Sequence, residues 1–370
     1  MKRILAAAAL VLAVVSPAAA ATVEKSSSAI VRLLNSRSSG SVKEYVEAAA
    51  VVAEDAKAGR PLQKFLIALV AGDADLPADL RLTDAQRRDY LAQSRDRIRR
   101  LAEEKGNALA WYLLSLENDD LGFLKRAADG DNVQALNAWG TLCMNKIFAD
   151  QDADTNEVDK VLLKSFGCFK KAADKGDANG LYNLGMCYLR GYGCAVDEDL
   201  ALKCFRAGAE AGHPEAINNL GGFFRDGVVV QKNLETAARW FARSAELGNA
   251  YGMLNYALAL ARGEGVDKDE EKAVALLKKA SERGNAEAMD AYGMSYLEGR
   301  GVPKDEAEAV KWFRASAARG FAPAMDNLSV CYERGLGVKQ NSKEGTVWKV
   351  RAMAARGDRN AAAWLMQNGR

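Results

Sequence analysis

Histidine occurs once in the 370 residues, as His213. That scarcity removes the commonest general base and the commonest metal ligand. No HExxH, Walker, GxSxG or CxxC stretch is present, and no cofactor or metal is expected. Charge of one sign is also lacking. Fifty-one Lys and Arg stand against 49 Asp and Glu, and Lys2 and Arg3 alone account for the formal excess of +2. A chain so balanced offers no electrostatic reason to bind nucleic acid or an anionic membrane. A long apolar run is missing as well. The single apolar stretch of note, Ile4 to Val15, is shorter than the roughly 20 residues a spanning helix needs. Behind Lys2-Arg3 and before Ala18-Ala19-Ala20 it reads as a secretory leader over residues 1–20, with export to a periplasm or the exterior and no membrane insertion after cleavage.

What the chain has is repetition. Between residues 178 and 357 the same phrase returns every 36 residues, with Gly191, Gly227, Gly263, Gly299 and Gly335 in one column. Two residues on, the column reads Gly193, Val229, Gly265, Gly301, Gly337, and the next reads Cys194, Val230, Val266, Val302, Val338. A fixed period of this length marks a solenoid. Each unit opens with apolar residues at helical spacing, as in Asn183 to Leu189, which predicts a first helix, A. A small residue recurs inside it (Gly185, Gly221, Ala257, Gly293, Ser329). Glycine costs about 1 kcal/mol in a helix interior, so its return at one address predicts a close approach of another backbone. The paired glycines end helix A with left-handed positions.

Asp197, Asn233, Asp269, Asp305 and Asn341 follow, all good N-caps. Glu308 and Glu344, three residues after two of them, fit a capping box. A second helix, B, carries the columns Ala201, Ala237, Ala273, Ala309 and Cys204, Trp240, Leu276, Trp312, Trp348, and closes at Gly212, Gly248, Gly284, Gly320 and Gly357. The predicted fold class is all-α, an α/α solenoid superhelix.

Asn219-Leu220-Gly221 with Gly227, and Tyr292-Gly293-Met294-Ser295-Tyr296-Leu297-Glu298-Gly299-Arg300-Gly301-Val302 followed by Lys311-Trp312-Phe313, resemble the Sel1-like repeat, a cousin of the tetratricopeptide repeat. The resemblance covers about half the chain and implies a non-enzymatic scaffold that binds a protein or peptide on a concave face. Exported members of the family restrain sensor kinases or support exopolysaccharide export and cell-envelope assembly. The alternative function is a cell-wall polymer binder or peptidoglycan-active enzyme, for which paired carboxylates are the required chemistry.

Upstream, residues 21–41 read as a serine-rich linker and 42–105 as a helical region, in which Thr83 or Asp84 caps a charged helix running to Lys105. Its arginines (Arg87, Arg88, Arg95, Arg97, Arg99, Arg100) alternate with Asp89, Asp96, Glu103 and Glu104, the pattern of a solvated face or of a surface for an acidic partner. Residues 106–177 carry two degenerate units, the second with an acidic insertion around Ile147 to Glu157. Asp150, Asp152 and Asp154 resemble a calcium loop but lack its glycine and distal glutamate. Residues 358–370 begin a helix A with no helix B, a terminal cap.

Two constellations remain. Asn183, Asn219, Asn255 and Asn327 form a column broken by Ala291. In tetratricopeptide repeats this address faces the concave groove, so these four are the expected partner-binding residues; bracing of neighbouring repeats is the competing role. The lysines of a carboxylate clamp are absent, since Tyr182, Asn218, Leu254, Asp290 and Asp326 hold the preceding column. Among the six cysteines (143, 168, 187, 194, 204, 331), Cys168 and Cys187 lie at similar distances from the turn at Gly176-Asp177. Antiparallel packing would bring them level, a possible disulfide in an exported chain. As the bland alternative, Cys168 and Cys204 fill the column of Trp240 and Trp312 as small buried hydrophobes.

Overall fold

The computed structural model describes residues 82–118, 120–149 and 154–368. The expected leader, linker and first helices before residue 82 lie outside them, as do Asp150 and Asp152. The described residues are helical throughout, with no strand. They fall into two units, one ending at His213 and one beginning at Pro214.

The first unit holds α1 (Asp84–Lys105), α2 (Ala108–Asn118), α3 (Leu121–Asp129), α4 (Val133–Ala149), α5 (Thr155–Asp174), α6 (Ala178–Arg190) and α7 (Glu198–Glu210). Each helix packs on its neighbour in sequence, and α4 also meets α6. Thr83, not Asp84, caps α1, in a complete capping box with Gln86. Ile98, Leu113, Leu114, Ala127, Ala135 and Leu136 bury almost completely in one cluster, each large side chain contributing about 1.5–3 kcal/mol. The insertion begins later than its sequence suggests, because Ile147 and Phe148 continue α4.

The second unit holds α8 (Pro214–Asp226), α9 (Leu234–Glu246), α10 (Ala250–Arg262), α11 (Glu270–Glu282), α12 (Ala286–Glu298), α13 (Glu306–Ala317), α14 (Ala322–Arg334), α15 (Ser342–Ala355) and α16 (Arg359–Asn368). Here α8, α10, α12 and α14 are A helices and α9, α11, α13 and α15 are B helices. Consecutive helices pack throughout, and α8 also meets α10.

One residue per unit does two jobs. The side chains of Asp197, Asn233, Asp269, Asp305 and Asn341 accept from the backbone N–H three residues on, each cap contributing about 1 kcal/mol. Their own N–H groups donate back to Tyr188, Phe224, Leu260, Tyr296 and Tyr332 carbonyls at 2.8–3.0 Å. The cap therefore satisfies an orphan donor of helix B and an orphan acceptor of helix A together. The reciprocal half of the expected capping box is not made by Glu308. Its carboxylate instead accepts from Lys311 Nζ and Trp312 Nε1.

The small residue within helix A is met by a ring and not, chiefly, by a backbone. A Cβ on Gly185, Gly221 or Gly293 would come within 2.6–2.8 Å of Phe205, Phe241 or Phe313. Where Ala257 replaces the glycine, the phenylalanine column holds the smaller Leu277, which is buried in the same cluster. The same lock recurs at Gly140, where a Cβ would come within 2.7 Å of the Phe169 ring. The second glycine of each turn has a different role. At Gly193, Gly265, Gly301 and Gly337, a Cβ would overlap the carbonyls of Leu162, Leu234, Glu270 and Glu306. Each turn thus lies on the backbone of the preceding B helix, at its start in the last three cases. Val229 holds this column in one repeat, at φ +60°.

Candidate functional site: the helix-A face

Asn183 sits on α6 in the first unit; Asn219, Asn255 and Asn327 sit on α8, α10 and α14 in the second, all half-buried. In the second unit two of them form rungs. Asn255 Nδ2 donates to Asn218 Oδ1 and Asn327 Nδ2 to Asp290 Oδ1, both at 2.8 Å. Each acceptor belongs to the column preceding the asparagines, one repeat earlier. The break in the column follows from the same pairing: where that earlier column carries buried Leu254, the asparagine is replaced by Ala291. A polar donor at 291 would face an apolar side chain and go unsatisfied. The braces expected as a competing role are therefore present at Asn255 and Asn327, while both amides keep partial exposure to the face.

Sequence reasoning missed the acceptors Asn218 and Asp290. The signal was there, as a matched change in adjacent columns 37 residues apart. It also missed Arg225. This guanidinium is bidentate on Asp226 at 2.8 and 2.9 Å, reaches Asn255 Oδ1 at 3.4 Å, and lies over the Phe241 ring. Arg225, Asn255, Leu258, Arg262 and Glu264 line a crevice of about 40 Å³ between α8, α9 and α10. Burial pushes the Asp290 carboxyl up to about 6, against the lowering effect of the Asn327 bond and with Glu287 and Asp326 adding to the rise. Asp326 is itself paired with Arg356.

Cys168 and Cys187 pack in different clusters. Cys168 packs with the α1–α4 cluster, whereas Cys187 sits with Cys194 and Cys204 in another, and all six thiols are free. Equal height along antiparallel helices does not make two side chains share a face, because each residue turns about 100° around its axis. Among the described residues no group of His, Cys, Asp and Glu has metal-ligand geometry.

His213 is 4% exposed. Its ring stacks on Tyr182 at 4.6 Å, with Nε2 3.2 Å from Asn179 Oδ1. Burial holds its pKa down at about 4. The folded state then binds fewer protons than the unfolded state between pH about 4 and 6.5, so stability rises with pH across that window. His213's contribution is complete above the ordinary value and declines as pH falls from 6.5 to 4, by about 3 kcal/mol. His213→Asn, which installs the capping residue found at Asn249 and Asn285, should flatten that part of the profile. Denaturation midpoints at pH 7 and 4.5 check it. Equal acid losses in variant and parent would assign the sensitivity to other groups.

The Sel1 repeat pattern matches residues 154–177, 178–213, 214–249, 250–285, 286–321 and 322–348, together more than half of the chain. Among solved structures, similarity extends to a Sel1 repeat protein from Oxalobacter formigenes at 28% identity and TM-score 0.53, over 69% of this chain and 95% of that one. It extends also to a protective antigen of uropathogenic Escherichia coli strains that displays an SLR fold. That match has 26% identity and TM-score 0.56, over 87% of this chain and 68% of that one. No curated protein matches.

Proposed function

Because this chain belongs to the Sel1 repeat family, we propose that it is an exported scaffold whose helix-A face holds a segment of a partner protein. Sel1 repeats typically mediate protein–protein interaction, and the fold is typically non-enzymatic. The observation that carries the face assignment is the crevice beside Asn255. There two cationic side chains, one amide rung and apolar walls meet at a half-exposed surface. Such mixed surfaces suit an extended chain, whose backbone needs donors and acceptors while its side chains need apolar walls. Export rests on the leader at residues 1–20. No described helix is long and apolar enough to cross a membrane. Within this role, restraint of a sensor kinase and support of exopolysaccharide or envelope assembly are the two finer readings.

The test is crosslinking capture from the native host with mass-spectrometric identification, run on three chains. These are the parent, Arg262→Glu, and the double variant Asn219→Ala, Asn255→Ala. Arg262 is exposed at the crevice mouth, so its reversal should leave the melt unchanged while capture of the partner falls at least tenfold. Retained capture in both variants withdraws the face assignment. A double variant that loses its fold, beside an Arg262→Glu chain that binds normally, restricts the asparagines to bracing.

A further inference from the structure

Two columns run along the A/B pairs. On helix A the column is Tyr188, Phe224, Leu260, Tyr296, Tyr332; on helix B it is Cys204, Trp240, Leu276, Trp312, Trp348. Leu260 with Leu276 and Tyr296 with Trp312 pack in one cluster, and Tyr188 with Cys204 in another. The glycine–phenylalanine lock sets this register. Gly293 meets Phe313, Tyr296 lies one turn beyond Gly293, and Trp312 directly precedes Phe313. The pair α4/α5 has the same lock, with Gly140 so close to Phe169 that a Cβ would come within 2.7 Å of the ring. One turn beyond Gly140 stands Cys143, and directly before Phe169 stands Cys168. This pair of helices therefore carries two thiols at the addresses where α6/α7 carries Tyr188 and Cys204 and the later pairs carry two large side chains.

We propose that Cys143 and Cys168 are a redox modification site, closing to a disulfide that staples α4 to α5. Three further observations support the pairing. Both thiols are half-buried, so an external reagent has access. Cys143 is the first of the charged neighbours that raise the Cys168 pKa, after burial itself. Lys164, whose amine lies over Trp139 at 5.1 Å, is near enough to both sulfurs to favour their thiolates against that burial. The oxidant is an external disulfide, either a low-molecular-weight one or a protein dithiol oxidase. The Cys143 thiolate attacks it, forming a mixed disulfide and releasing one thiolate. The Cys168 thiolate then attacks Cys143 Sγ and releases the second. Two protein thiols and one external disulfide become one protein disulfide and two external thiols, with two electrons leaving the protein. The closed bond clamps a helix pair whose connection lacks the glycine turn used by the later repeats, and it does so only where such an oxidant is present.

Full-length protein equilibrated with oxidised glutathione and digested without reduction tests this. The expected result is a linked peptide joining Cys143 to Cys168, loss of two of the six titratable thiols, and a higher melting temperature that reverts with dithiothreitol. Cys143→Ser and Cys168→Ser should each abolish the linked peptide and the shift. Separate glutathione adducts on both cysteines of the parent would overturn the proposal. So would a linkage of Cys168 to Cys187, Cys194 or Cys204. Because the mapping is done on the parent chain, a variant that folds poorly leaves the decision intact.

Discussion

Gly265→Ala is expected to lower the melting temperature by roughly 4–20 °C, at about 2–4 °C per kcal/mol for a unit the size of Pro214–Arg370. Two costs combine. Gly265 has φ +72°, where an L-residue with a Cβ loses about 1–2 kcal/mol. The added methyl also overlaps the Leu234 carbonyl group and the Glu235 nitrogen. Those atoms belong to helix backbone at the start of α9, so relief requires the whole turn to lift from the preceding repeat. Overpacking of that kind adds about 1–3 kcal/mol. Gly320→Ala is the control. It has φ +82° but meets nothing within 4 Å, so it pays the dihedral cost alone. Thermal melts followed by circular dichroism measure both. Equal losses would mean that the turn is not pressed against the neighbouring helix. In a repeat array the interface between neighbours carries much of the stability, so the Gly265 change should also broaden the transition.

The second large effect is a rescue. Gly293→Ala places a methyl 2.7 Å from the buried Phe313 ring and should cost about 1–3 kcal/mol. Phe313→Leu alone opens a void in the same cluster and should cost a similar amount, about 1–3 kcal/mol. Combined, they rebuild the pair that this chain already uses at Ala257 and Leu277. The double variant should therefore be more stable than the sum of the single losses predicts, by about 0.5–3 kcal/mol. Denaturant midpoints of the four chains close the cycle. Strict additivity would show that the glycine is selected by something other than the ring.

That covariation shows where sequence reading stopped short. The glycine column was visible, and so was the phenylalanine column, but the close approach was attributed to a backbone. Nothing in a one-dimensional period says which residue of helix B reaches across to which residue of helix A. The rungs Asn255–Asn218 and Asn327–Asp290 are of the same kind. The gap at Ala291 is unexplained along the chain and obvious once Leu254 is opposite it.

The elements themselves came from local chemistry. N-cap side chains, the glycines that end helix A and apolar spacing of 3.6 residues act within a few residues, so their positions are written directly in the order of the amino acids. Because the units repeat, the family and the helix-pair architecture follow from that order too. The burial of His213 and the second role of the turn glycines depend on rotation about helix axes and on the distance between helices. Those quantities are decided by how side chains of different repeats fill one another's space. Cys168 could be placed level with Cys187 by counting, but only the packing of the helices put their side chains into separate clusters.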